Sequence, residues 1–204
     1  MHESRGLGDV YKRQVMGRLL PITAAQILWI NMITAVTLAL TLAFEPPERN
    51  VMQRPPRDPK EPILSGFLVW RIIFVSLILV AGTFGLFLWE REHGASIELA
   101  RTVAVNTLVM FEVFYLFTAR YLLAPALTYE GLTGNRYVLY AIGLLILFQL
   151  GFTYLGPMQT LFATTAMSLE AWLRVTVVAS SVLFLVEFEK LLFRRYAGLE
   201  QRTL

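Results

Sequence analysis

Cysteine is absent from this 204-residue chain, and histidine occurs only at His2 and His93. Without cysteine there can be no disulfide framework, thiolate nucleophile or thiolate zinc site. Two histidines so far apart leave no imidazole cluster for a metal. Charge is scarce as well: 16% of residues are Asp, Glu, Lys or Arg, against about 25% in an ordinary soluble domain. The net charge of +3 is no electrostatic footprint for nucleic acid, and no nucleic-acid partner is expected. What fills the chain is apolar: 56% of residues are hydrophobic, above the usual 45–50% or so. A disordered chain is excluded, because low hydrophobicity and high net charge are what prevent collapse.

The apolar residues fall into runs. Crossing the hydrocarbon of a bilayer takes about 20 mostly apolar residues, and five segments approach that length: about 24–44, 67–88, 100–118, 137–155 and 170–187. The second is charged only at Arg71, near one end, where a long side chain can snorkel to the interface. The third holds Glu112 in its interior, and the fourth has Gln149 as its most polar member. Five such runs exceed what one soluble core of this length can bury. The expected fold is all-α, a polytopic membrane bundle of five transmembrane helices in a lipid bilayer. Trp70, Trp89 and Trp172 stand at span ends, as an interfacial aromatic belt requires, whereas Trp29 lies inside the first span and should pack on a neighbouring helix.

Lys and Arg set the expected orientation. Segment 45–65 carries Arg49, Arg54, Arg57 and Lys60, segment 119–136 carries Arg120 and Arg136, and segment 188–204 carries Lys190, Arg194, Arg195 and Arg202. These three alternate with segments 89–99, which has only Arg91, and 156–169, which has none. The basic segments belong inside, which makes the C-terminus cytoplasmic and starts the first span outside. Residues 1–14, MHESRGLGDVYKRQ, have no apolar period and read as a non-native, adapter-derived leader. Residues 196–204 read as a cytoplasmic tail.

Six of the nine prolines lie in residues 45–65. Such a segment can form neither helix nor central strand and should be an extended, charged cytoplasmic connector. Three strings stand in order: Gln26 to Asn31 (QILWIN), then Glu45-Pro46-Pro47, then Met52-Gln53-Arg54-Pro55-Pro56-Arg57. With Val186-Glu187-Phe188-Glu189-Lys190 near the end, they resemble the C-terminal part of P-type cation-transporting ATPases. The resemblance covers residues 15–195 and equates the five spans with that family's helices six to ten. It implies ATP-driven cation transport at a bacterial-type plasma membrane, with ATP and Mg2+ used by the full-length parent. The family's phosphorylation sequence, dephosphorylation loop and nucleotide domain do not occur here. The chain is therefore expected to be a fragment without a cofactor of its own and inactive alone, its partners being the remaining helices and cytoplasmic domains of the pump. The alternative is a stand-alone five-helix carrier or assembly subunit that uses no ATP.

Polar groups inside the spans are the candidate site. Asn31 and Thr34 are three apart and share one helix face, which Thr37 and Thr41 continue. A dehydrated hard cation needs oxygen ligands, and amide and hydroxyl oxygens supply them. In calcium-moving members of the family the equivalent Asn and Thr bind the ion and an Asp follows at once; here the next residue is Ala35. Glu112 is the one acid deep within a span, and an ionisable group there is a functional candidate by default. Asn31, Thr34 and Glu112 are the expected ligands of a transported cation. The competing reading gives Asn31 and the threonines to helix packing and to bonds with their own turns, and Glu112 to a structural role. Gln149 is expected to pack against another helix, and Glu187 and Glu189 to anchor the membrane edge.

Overall fold

Thr23 opens the first helix with a reciprocal cap. Its hydroxyl accepts from the Gln26 N–H at 3.3 Å while its own N–H donates to Gln26 Oε1 at 2.9 Å. Helix α1 then runs Ala24–Thr34, and Ala35–Ala39 continue it as a wider π-helical turn. The structure, a computed structural model, describes residues 20–39, 41, 44, 66–120 and 135–200. Those residues form α2 (Gly66–Glu92), α3 (Ile97–Ala119), α4 (Arg136–Tyr154), the short α5 (Gly156–Phe162) and α6 (Leu169–Glu200). Helices α3, α4 and α6 each start at a side-chain cap. The Ser96 hydroxyl accepts from Leu99 N–H at 3.1 Å, Asn135 Oδ1 from Tyr137 N–H at 2.9 Å, and the Ser168 hydroxyl from Ala171 N–H at 3.2 Å. Gly94, at φ +82°, makes the tight reversal between α2 and α3, a conformation that costs glycine nothing.

The fold is the expected all-helical membrane bundle. Helices α2, α3, α4 and α6 are each long and apolar enough to cross a bilayer, and the first apolar run adds a shorter helix. Helix α5 is an addition, folded from residues that read as a loop, with Pro157 in its first turn. The expected connector 45–65 and the leader 1–14 lie outside the described residues.

Helix α3 is the axis of the bundle. Of its most apolar stretch, 61% is buried, against 22% for α2 and 28% for α4 and α6, because α3 packs between α2 and α6 on one side and α1 and α4 on the other. One core joins Trp29, Ile30 and Ile33 of α1 to Val105, Val109 and Val113 of α3 and to Leu145 and Phe152 of α4. A second joins Val75 of α2, Phe111 of α3 and Ala179, Val182 and Val186 of α6. Gly82 makes that second contact close. A Cβ there would lie 2.5 Å from the Phe111 ring, so only glycine lets α2 approach α3 this tightly. Gly85 faces open space.

Charges expected to reach water are instead paired inside the bundle. Arg71 is 4% exposed and its Nε stands 2.7 Å from Glu189 Oε2, which joins α2 to α6. Lys190 is fully buried; its Nζ donates to the Thr118 carbonyl at 3.0 Å and to Glu187 at 2.9 Å. Snorkelling at Arg71 and solvated anchoring at Glu189 are thus corrected: each is buried with the other's charge at ion-pair distance. Near the opposite end of α2 and α6, Arg174 bonds Glu90 at 2.7 Å and stacks over the Trp89 ring at 4.4 Å.

Candidate functional site

Asn31 and Thr34 point from the last turn of α1, just before the π-helical turn begins. Insertion of such a turn rotates the side chains beyond it, and π-helical turns recur at functional positions. Past the turn's start, Thr37 and Thr41 are buried and their hydroxyls bond back to the carbonyls of Ile33 and Leu38. Those two side chains are spent on their own helix. Thr34 makes the same kind of bond, to Ile30 O at 2.9 Å, but it lines an open cleft, where the lone pairs of its oxygen can reach another group.

Glu112 meets this face from the middle of α3. Its carboxyl group lines the same cleft as the Thr34 side chain, and Oε2 is buried with no partner among the described residues. The three sequence candidates share one cleft of about 520 Å³, with Asn31, Thr34 and Ala35 on the α1 wall and Glu112, Tyr115 and Leu116 on the α3 wall. The cleft therefore gathers an amide, a hydroxyl and a carboxyl group around space large enough for a partly hydrated ion. A buried acceptor oxygen without a donor is costly, and a cation is one group that would satisfy it. Among the described residues no three His, Cys, Asp or Glu side chains come together. Of the described residues that line the cleft, Glu112 alone carries a formal negative charge, and Ala35 adds none.

Other polar side chains take structural places. Gln149 is buried on α4, where its Oε1 accepts from Trp29 Nε1 at 3.3 Å. The Trp29 ring stacks on Phe152 at 5.6 Å and packs on Phe162 at 5.3 Å. Asn106 is wholly buried and donates to Thr102 O and Thr153 Oγ1, at 2.9 and 3.1 Å. With Thr164 donating to Phe152 O at 2.9 Å, it fastens α3, α4 and the segment after α5 together. Tyr115 and Asn106 went unmarked in the sequence. Tyr115 lies three residues after Glu112 and so on the same helix face, a signal that was available. Asn106 sits four residues from Thr102 and carried no comparable cue.

Comparison with known proteins shows the family of the chain. The family model described as cation transporting ATPase, C-terminus, matches residues 19–192. A protein of Mycobacterium tuberculosis named "Probable cation-transporting ATPase F" is 43% identical over 179 residues, covering 88% of this chain and 20% of that protein. The cation-transporting ATPase pma1 of a Synechocystis strain is 38% identical over 158 residues, covering 75% of this chain and 18% of that protein. A mouse calcium-transporting ATPase, type 2C member 2, is 35% identical over 175 residues, covering 84% and 18%. The chain thus spans about a fifth of the length of the curated relatives it matches. With a family model over most of its length and a helical membrane bundle to match, the chain belongs to the family of C-terminal membrane regions of cation-transporting ATPases.

Proposed function

We propose that this chain supplies part of the ion path and the supporting helices of an ATP-driven cation pump. The observation that carries this reading is the meeting of Asn31, Thr34 and Glu112 at one cleft, beside a π-helical turn. In this reading the cation is the substrate. The Asn31 carbonyl, the Thr34 hydroxyl and the Glu112 carboxylate replace part of its hydration shell, and helices outside this chain complete the site. ATP and Mg2+ act on cytoplasmic domains that are likewise outside it. The Lys and Arg distribution supports a cytoplasmic C-terminus and a plasma-membrane location, and segment 45–65 would touch the phosphorylated domain and pass its movement to α1 and α2.

Glu112 bears the only formal charge among the described residues that line the cleft, so its removal should act on ion recognition before it acts on folding. In the full-length pump, Glu112→Gln should abolish or alter cation-stimulated ATP hydrolysis. Ala35→Asp adds a second carboxylate and should shift the preference toward divalent ions. The measurement is ATPase stimulation by sodium, potassium, calcium, magnesium and manganese in each variant. An unchanged ion profile in both would remove these positions from the transport site.

A further inference from the structure

A second cavity, of about 350 Å³, lies between α3, α4 and the start of α6 and shares no lining residue with the Asn31–Glu112 cleft. Tyr154 and Trp172 stand at its rim. Their polar atoms are already engaged, Trp172 Nε1 donating to Tyr154 Oη and that hydroxyl donating to Met167 O, each at 2.8 Å. Val113 and Leu145 line it deeper in the bundle.

Gln149 is the exception in this wall. An indole N–H can only donate, so Trp29 fixes which end of the Gln149 amide it meets: Oε1 accepts and Nε2 is left over. That Nε2 is buried with no partner among the described residues, on a side chain 2% exposed. Rotating the amide would not cure this, because it would set two donors against each other. Gln149 is among the residues that line the slot, so one unpaired donor belongs to an otherwise apolar wall.

We propose that this slot binds one acyl chain of a diacyl ester phospholipid, whose ester carbonyl accepts from Gln149 Nε2. Depth supports that occupant. Gln149 precedes Tyr154 by five residues, about 7.5 Å of helix rise toward the membrane centre. Tyr and Trp mark the headgroup level, so Gln149 sits near the boundary where glycerol esters meet hydrocarbon. Ile146 and Leu150, 41% and 40% exposed, flank an opening toward the surrounding lipid. A partner helix fits less well, since its backbone carbonyls are already bonded within itself. Water fits less well too, because a buried water needs two to four polar partners and the slot offers one free donor.

The test uses the full-length protein, delipidated in detergent and titrated with dioleoyl phosphatidylglycerol or its ether-linked counterpart, with bound lipid counted by native mass spectrometry. Wild type should hold one ester lipid roughly tenfold more tightly than the ether lipid, the worth of one buried hydrogen bond. Gln149→Leu should abolish that preference, as should Gln149→Met if the leucine variant folds poorly. Ile146→Trp changes a side chain that is already part-exposed; it should block the slot and release the tight lipid. Equal binding of the two lipids by wild type overturns the proposal. So does a tight lipid retained by Ile146→Trp, or an ester preference that survives loss of the amide. None of these readings depends on ATP use or on which cation moves.

Discussion

A buried charge is stable only with its partner, and Arg71 carries that rule to its consequence at a single residue. Its pairing with Glu189 is almost fully shielded from solvent, with side-chain exposures of 4% and 6%. Removing one member of such a pair leaves the other desolvated and uncompensated, a loss of about 3–5 kcal/mol. Arg71→Leu should therefore lower thermal stability in detergent steeply, and Arg71→Leu with Glu189→Leu should recover most of the loss. A double variant no more stable than the single one would show that the pair does not carry the α2–α6 contact. Neither side chain announced this role. Arg71 stands near a span end, where snorkelling is the ordinary expectation, and its partner lies 118 positions away, a separation over which sequence pattern carries no information. Glu112 was easier to read, because an acid in the middle of an apolar run has few structural excuses. Its meeting with Thr34, by contrast, depends on how α1 and α3 pack.

Helix α1 is where local structure departs furthest from expectation. Residues 24–44 read as one apolar span, yet the α-helix ends at Thr34 and a π-helical turn succeeds it. Hydropathy cannot distinguish the two, since both keep apolar side chains outward and bond the backbone internally. The change nevertheless divides the threonine stripe: Thr34 lines the cleft, while Thr37 is buried and bonded to Ile33 O. This separates two roles that spacing alone merged. Thr37→Val should leave ion stimulation of the full-length pump unchanged and cost less than about 1 kcal/mol, in line with the small worth of such bonds within membranes. Thr34→Val should raise the cation concentration needed for half-maximal ATPase activity. If Thr37→Val changes the ion profile as Thr34→Val does, the stripe acts as one unit and the π-helical turn does not divide it. The four longer helices were legible because each run is long, nearly uncharged and bounded by polar residues. Helix α5 was not, because seven residues are too few for periodicity to register.

For the whole molecule, the absence of cysteine turns orientation into a clean measurement. Thr160 on α5 and Arg195 on α6 are both exposed, and a single cysteine at either is the only thiol in the chain. A membrane-impermeant maleimide applied to intact cells should label Thr160→Cys at once and Arg195→Cys only after permeabilisation. The reverse pattern would invert the proposed topology. The second consequence concerns the chain expressed alone. Ile27, Leu28, Met32 and Val36 of α1 are 48%, 70%, 55% and 59% exposed, and Asn31 lies among them exposed as well. Lipid can cover the apolar members at little cost, but it cannot bond the Asn31 amide, and each unsatisfied polar group in hydrocarbon costs several kcal/mol. In the proposed pump, helices outside this chain cover that face. Without them, amides of two copies can bond each other, so the isolated chain should self-associate in mild detergent, as light scattering after size exclusion would detect. Asn31→Leu removes the polar group without exposing a new one and should shift the population toward monomer. Coexpression with the rest of the pump should do the same to the native chain by supplying the missing surface. A native chain that is monomeric and thermally stable by itself would mean that α1 needs no further helices, and would weigh against its place inside a larger membrane domain.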